Sequence, residues 1–334
     1  MKKILLLLTL AGGFAATVAS AQLINGAGST FDNPAFTTWF DAYAKQDPSV
    51  HFNYQSIGSG GGIKGLLDQT VDFGASDAPM TDASMSKAPY KILHLPVVAG
   101  SVAITYNLPG NPKLKFDADT LAGIYLGEIT NWKDAKIAAL NAGVKLPDLP
   151  IVVVHRSDGS GTTFIFSDYL SVVSSEWASK VGKNVSVKWP TGIGGKGSEG
   201  VSGQVKQLPG AIGYVEQAYA DQNKLPVAKL KNADGKFVAP SAEAASKAMA
   251  TATIPDDFRF SMVNAPGAGA YPIAGASWVL IYQKQTKPEI GRKVVAFLRW
   301  AVTEGQKLTP ALSYAPLPEN VQQRELKLLD SVTF

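Results

Sequence analysis

The 334-residue chain contains no cysteine. That excludes disulfides, thiolate metal sites and cysteine catalysis, and it removes the residue that lipid attachment after an export signal would need. The fold must be held by its core alone. Histidine is nearly as scarce: His51, His94 and His155 are scattered, and each reads as a structural residue rather than a metal ligand. Charged residues make up 17% of the chain, the net charge is only +4, and no long basic run occurs, so nucleic-acid binding has no support. No repeat is long enough to suggest a solenoid. What is present is ordinary for a globular protein: 46% hydrophobic residues, and a length that suits one large or two medium domains.

The N-terminus has the layout of an export signal. Lys2 and Lys3 form a positive segment, Ile4 to Val18 is apolar, and Ala19-Ser20-Ala21 fits an A-x-A cleavage site. The apolar stretch is shorter than the roughly 20 residues of a membrane span. Residues 1–21 are therefore expected to be removed, leaving a soluble protein in a bacterial periplasm that begins at Gln22.

The mature chain opens as β-α-β-α-β. Leu23 to Phe31 reads as a strand and glycine turn, and Asn33-Pro34 as a helix start with Asn33 at the N-cap. Phe36, Trp39, Phe40 and Tyr43 give that helix an apolar face. A strand at Val50–Gln55, a helix through Ile63, Leu66 and Leu67, and a strand at Val71–Asp77 follow. Such alternation implies a largely parallel sheet covered by helices. Leu93–Tyr106 and Ser277–Tyr282 are apolar segments that can cross between domains. Ala233-Asp234-Gly235 suggests a hairpin, Ser241 an N-cap, and Pro288 the start of a helix ending near Gly305. The expected architecture is α/β with two lobes: residues 22–97 and 269–334 in the first, 98–268 in the second.

Four turns share one chemistry. Arg156-Ser157-Asp158-Gly159-Ser160-Gly161-Thr162-Thr163 follows the apolar run Ile151–Val154 and precedes a helical pattern. Gly28-Ser29-Thr30-Phe31, Gly58-Ser59-Gly60-Gly61 and Ser76-Asp77 sit in equivalent places after strands. Each offers backbone amides and a hydroxyl, and ligands of open α/β sheets bind beyond the carboxyl ends of strands. Together they describe a cage for an anion.

Three patterns mislead. Gly60-x-Gly62-x-x-Gly65 matches a dinucleotide fingerprint, but its third glycine falls within the helix. Gly194-Gly195-Lys196-Gly197-Ser198 approaches a Walker loop but places Gly197 where Ser or Thr belongs, and reads as a flexible loop. His155, Asp158 and Ser160 are residue types of a hydrolase triad, yet strand alternation points His155 away from Arg156, and Gly159-Ser160-Gly161 is no nucleophile elbow.

These turns, with Gly26-Ala27-Gly28-Ser29-Thr30-Phe31, Val71–Asp77, Trp189-Pro190 and Leu208–Val215, resemble the periplasmic phosphate-binding proteins of bacterial phosphate ABC importers, the PstS family. The resemblance spans essentially the whole mature chain. It implies a two-lobed periplasmic binding protein fold, each lobe a mixed, mainly parallel sheet flanked by helices, with the ligand in the interlobe cleft. It places phosphate contacts at Thr30, Phe31 (main-chain amide), Ser59, Asp77, Arg156, Ser160, Gly161 and Thr162, with Asp158 holding Arg156. Relatives often carry a second serine where this chain has Gly60. The partners implied are inorganic phosphate, as hydrogen and dihydrogen phosphate, and the permease and ATPase subunits of an importer. A monomer without metal, cofactor or catalytic residue is expected.

Beside the resemblance stands a physical reading. An enclosed phosphate loses its hydration and must have every oxygen bonded again. Amides, hydroxyls and one guanidinium can do this. A carboxylate at Asp77 suits a ligand that carries a proton, and it repels sulfate, which has none near neutral pH. A missing bond with an unpaired buried acceptor separates ligands by about 10⁴–10⁵-fold. Another tetrahedral oxyanion (sulfate or arsenate), a secreted phosphatase and a phosphate-responsive sensor or adhesin are the alternatives.

Overall fold

A computed structural model describes residues 21–334, so the expected leader, apart from Ala21, lies outside the described residues. The strands are β1 Gln22–Gly28, β2 Val50–Ser56, β3 Phe73–Ser76, β4 Ile92–Tyr106, β5 Lys115–Phe116 and β6 Val152–Arg156. They continue with β7 Ile193–Gly195, β8 Ala211–Glu216, β9 Lys229–Lys231, β10 Phe237–Val238 and β11 Ala274–Tyr282. Eight form one sheet in the order β2-β1-β3-β11-β4-β8-β6-β7, and β10-β9-β5 make a small second sheet.

Two lobes share this sheet. In the first, β1 pairs in parallel with β2 and β3, and β11 returns antiparallel on β3. In the second, β6 pairs in parallel with β7 and β8. β4 joins them. All 15 of its residues are buried, as befits an almost wholly apolar strand covered on both faces. Its first part, to Ser101, pairs antiparallel with β11, and Val102–Tyr106 pairs antiparallel with β8.

β4 contains Pro96, which is unusual in a central strand because proline donates no ladder bond. The register explains it. Ser277 faces Val98 and Trp278 faces Pro96, so Val97 is an extra residue in a β-bulge. The Val97 carbonyl accepts from Gln306 Nε2 at 2.9 Å, and the irregularity holds Ser277 beside the ends of β1 and β3.

Helices cover both faces. Asn33–Gln46 buries Ala35, Phe36, Trp39 and Tyr43 against Pro288–Ala301, whose Val294, Phe297, Leu298 and Ala301 are buried in turn. Ser241 caps Ala242–Ala250 through the Ala244 amide, and β9 and β10 form the expected hairpin.

Two local expectations are corrected. The N-cap of the first helix is Asp32, not Asn33, and Asp32 caps no amide with its side chain because its carboxyl turns inward to Ser277 and Tyr54. Residues 194–198 are not a loose loop. Gly194 and Gly195 lie in β7, paired with His155 and Arg156, and Gly197 begins the helix Gly197–Gln207.

Candidate functional site

β6 ends in Arg156, a residue only 3% exposed. The alternation of the strand sends its neighbour outward: the His155 ring stacks on Trp189 at 4.7 Å, its planes 11° apart. His155 is thereby committed to an aromatic wall, which Trp189 continues to Tyr214 and Phe166. Burial lowers its pKa, and no His-Ser pairing forms with Ser160.

Arg156 is held as a fork. Its Nε and Nη2 donate to Asp158 Oδ1 and Oδ2 at 2.8 and 2.5 Å. Burial pushes the Asp158 carboxyl up, but the hydrogen bonds and charge of Arg156 outweigh it and hold the pKa below the usual range. Asp158 Oδ1 also accepts the Gly197 amide at 3.0 Å. Removing one partner of such a buried pair destabilises by about 3–5 kcal/mol, since the other charge is left unpaired. The remaining nitrogen, Nη1, donates to Thr30 Oγ1 at 3.0 Å and Ser198 Oγ at 3.3 Å, and lies 3.5 Å from Thr162 Oγ1. The Tyr214 hydroxyl fixes the turn, accepting the Arg156 amide at 3.1 Å and bonding Thr163 Oγ1 at 2.6 Å.

The first lobe meets this turn directly. Ser59 Oγ accepts the Asp77 amide at 3.0 Å and, across the cleft, the Gly161 amide at 3.1 Å. The Gly60 amide donates to the Gly159 carbonyl at 2.8 Å. Approach this close requires glycine: a Cβ on Gly161 would stand 2.4 Å from Ser59 Oγ and 2.6 Å from Asp77 Oδ2. Gly58 has φ +88°, and a Cβ there would meet Asp158 at 2.3 Å.

Asp77 is 1% exposed. Its Oδ1 accepts the hydroxyls of Ser29 and, at 2.7 Å, Ser277, while Oδ2 faces Gly161. Burial raises its pKa to about 6, with the hydroxyl bonds and the Arg156 charge opposing the rise. The carboxyl does not cap the next helix, Asp82–Met85, which Thr81 caps instead.

Thr30, Ser59, Asp77, Arg156, Asp158, Gly161 and Thr162 thus come together at the interlobe contact. Ser160 is fully buried at the helix start and accepts the Thr163 amide with Oγ, which leaves its hydroxyl hydrogen free. The Phe31 amide donates to Ser29 Oγ at 2.8 Å, linking it to Asp77 at one remove. Sequence reasoning does not single out Ser29, Asp32, Ser198 or Ser277. Ser29 appears only within its glycine turn, Ser198 falls in a glycine-rich stretch that reads as a loop, and Ser277 carries no local signal. The arrangement lies at the starts of the helices Asn33–Gln46, Ser59–Leu67, Gly161–Val173 and Gly197–Gln207 and offers donors, one tethered guanidinium and one acceptor, so it can bind a protonated oxyanion. Among the described residues no group of three or more His, Asp or Glu is placed to hold a metal.

Comparisons with known proteins identify the family. A family model described as a PBP superfamily domain matches residues 15–304. The phosphate-binding protein PstS of Pasteurella multocida is 45% identical over 327 residues, covering 97% of this chain and 94% of the relative. That of Xylella fastidiosa strain Temecula1 is 46% identical over 305 residues, covering 89% and 82%. Among solved structures, a high affinity periplasmic phosphate-binding protein bound with phosphate superposes with a TM-score of 0.73 at 22% identity, covering 90% of this chain and 92% of its own. An ABC-type phosphate transport receptor from Vibrio cholerae gives 0.58 at 22% identity, covering 88% and 100%. These two similarities speak to fold alone, the two-lobed periplasmic binding protein fold. With sequence identity sustained over nearly the full length, the chain belongs to the PBP superfamily and, within it, to the PstS phosphate-binding proteins.

Proposed function

We propose that this chain captures inorganic phosphate in the periplasm and delivers it to an inner-membrane ABC importer, without chemistry on the ligand. The observation that carries the reading is Asp77. A buried acceptor stands against Ser59 and the Arg156 turn, in a cage otherwise made of donors. Hydrogen phosphate can donate to it in a charge-assisted bond, and dihydrogen phosphate can do the same. Thr30, Ser160 and Thr162 would supply hydroxyls, Phe31 and Gly161 amides, and Ser59 a hydroxyl turned from its present partners. Arg156, oriented by Asp158, would supply the one full positive charge. Four helix N-termini add favourable dipoles. Residues 22–97 with 269–334, and 98–268, would move as two lobes and close on the anion.

The absence of a base on Ser160 disfavours a phosphatase, since His155 is stacked away on Trp189. Competition titration of the purified mature chain tests the assignment. Phosphate should bind tightly, arsenate should compete moderately because it keeps shape and proton, and sulfate should fail. Asp77→Ala should weaken phosphate and narrow its lead over sulfate. Equal competition by sulfate, or hydrolysis of a phosphate ester by the purified chain, would overturn the reading.

A further inference from the structure

Asp32 is fully buried beside the site, though it is no ligand contact in the reading above. Its Oδ2 and Asp77 Oδ1 each lie 2.7 Å from Ser277 Oγ. A serine hydroxyl has one hydrogen. It can satisfy one of these oxygens, and the second contact needs a hydrogen from a carboxyl group. The pair of acids therefore holds one proton.

The surroundings decide where it sits. Asp77 Oδ1 also takes the Ser29 hydroxyl, and Asp77 feels the charge of Arg156, tempered by Asp158. Asp32 has poorer company. The Tyr54 hydroxyl is 2.7 Å from the Ser29 carbonyl and 3.3 Å from Asp32 Oδ1, so its single hydrogen goes to the carbonyl. Tyr219 and Tyr314 also face this pocket as phenols whose pKa burial raises, and behind them lie Glu199, which bonds Tyr219, and the buried Glu216, whose pKa burial raises too. Burial followed by the Asp77 charge lifts the Asp32 pKa well above the usual carboxylate range, with the Ser277 and Tyr54 contacts opposing the rise.

We propose that Asp32 is a positioning residue for anion selectivity: as a neutral acid it donates to Ser277 Oγ, turns the Ser277 hydroxyl onto Asp77 Oδ1, and keeps Asp77 an ionised acceptor for the ligand's proton. The inference rests on the phosphate reading above. No covalent bond changes; the order of donors is Asp32 Oδ2–H to Ser277, then Ser277 Oγ–H to Asp77. With the proton on Asp77 instead, that residue would offer a donor to any oxyanion, and the distinction between phosphate and sulfate would be lost.

The test uses the full mature chain with inorganic phosphate and sulfate as probes. Asp32→Asn keeps an N–H donor toward Ser277, and its Kd values should stay within about threefold of the wild type. Asp32→Ala removes the donor and should weaken phosphate about tenfold while sulfate changes less. Ser277→Ala should show the same loss, and the Ala double variant should be no worse than either single one. The wild-type minus Asp32→Asn infrared spectrum at neutral pH should contain a protonated-carboxyl C=O band. Absence of that band, or wild-type phosphate and sulfate binding by folded Asp32→Ala, overturns the inference. Should Asp32→Ala fail to fold, Ser277→Ala binding both anions like the wild type overturns it equally. Failure of the wild type to bind phosphate would overturn the phosphate reading instead, with the infrared band still present.

Discussion

Asp32 and Asp77 are two acids separated by one hydroxyl, and their burial has a consequence for stability apart from binding. In the unfolded chain Asp32 titrates near its ordinary value, 3.8, while in the fold its pKa is raised. Between those two values the folded state retains a proton that the unfolded state releases. Stability is therefore fully present below the unfolded pKa and falls as pH rises toward the folded one. Asn at this position does not titrate. Asp32→Asn should thus gain on the wild type as pH rises above about 4, by at most about 1.4 kcal/mol per pH unit. Paired thermal melts across that range would show the widening Tm gap, and a constant gap would contradict it. The same residue marks a limit of sequence reading. Arg156, Asp158 and Thr162 are legible because one turn holds them all. Asp32 meets Ser277 only through tertiary pairing, 245 positions apart, and its place before Asn33-Pro34 looks like helix capping.

Among the elements, β4 shows why patterns gave most of the architecture and missed its fine structure. Its apolar run marks a buried crossing strand, and Pro96 within it argues against a central position. The bulge resolves the conflict, but it depends on Gln306, in the 3-10 helix Glu304–Leu308 near the other end of the chain. Gln306 gives Nε2 to the Val97 and Ala301 carbonyls, both at 2.9 Å, and accepts the Leu317 amide at 2.8 Å. Gln306→Ala should lower stability by about 1–3 kcal/mol through these orphaned groups, measured by urea unfolding. Because the bulge positions Ser277, phosphate affinity should fall with it. Residues 193–198 failed to declare themselves for a different reason. A glycine-rich edge strand has no side-chain alternation to read, and only pairing with β6 defines it.

At the scale of the whole molecule, the lobes share an apolar cluster away from the site, where Trp278 packs on Phe260, while beside the site they touch through backbone and polar side chains. Ser59 to Gly161, Gly60 to Gly159 and Arg156 to Thr30 are among the bonds that span the cleft beside the site. The fit of this contact depends on having no Cβ there. Gly161→Ala would press a methyl group against Ser59 and Asp77 and hold the lobes apart. Its phosphate affinity should fall at least tenfold, a loss of about 1.4 kcal/mol or more. Small-angle X-ray scattering should show the wild type contracting on phosphate and this variant contracting less. Equal contraction would place closure elsewhere.

The strand that completes the first lobe has a further implication, concerning time rather than geometry. β3 lies between β1 and β11, so one edge of Phe73–Ser76 waits for Trp278–Leu280. A chain made from its N-terminus presents that edge long before its partner exists. β6, β7 and β8, in contrast, come from one continuous stretch, residues 152–216. The second lobe can assemble while the first is still open, and an unpaired strand edge invites wrong partners. The first lobe is therefore completed only when the late-made Trp278–Leu280 segment reaches the β3 edge.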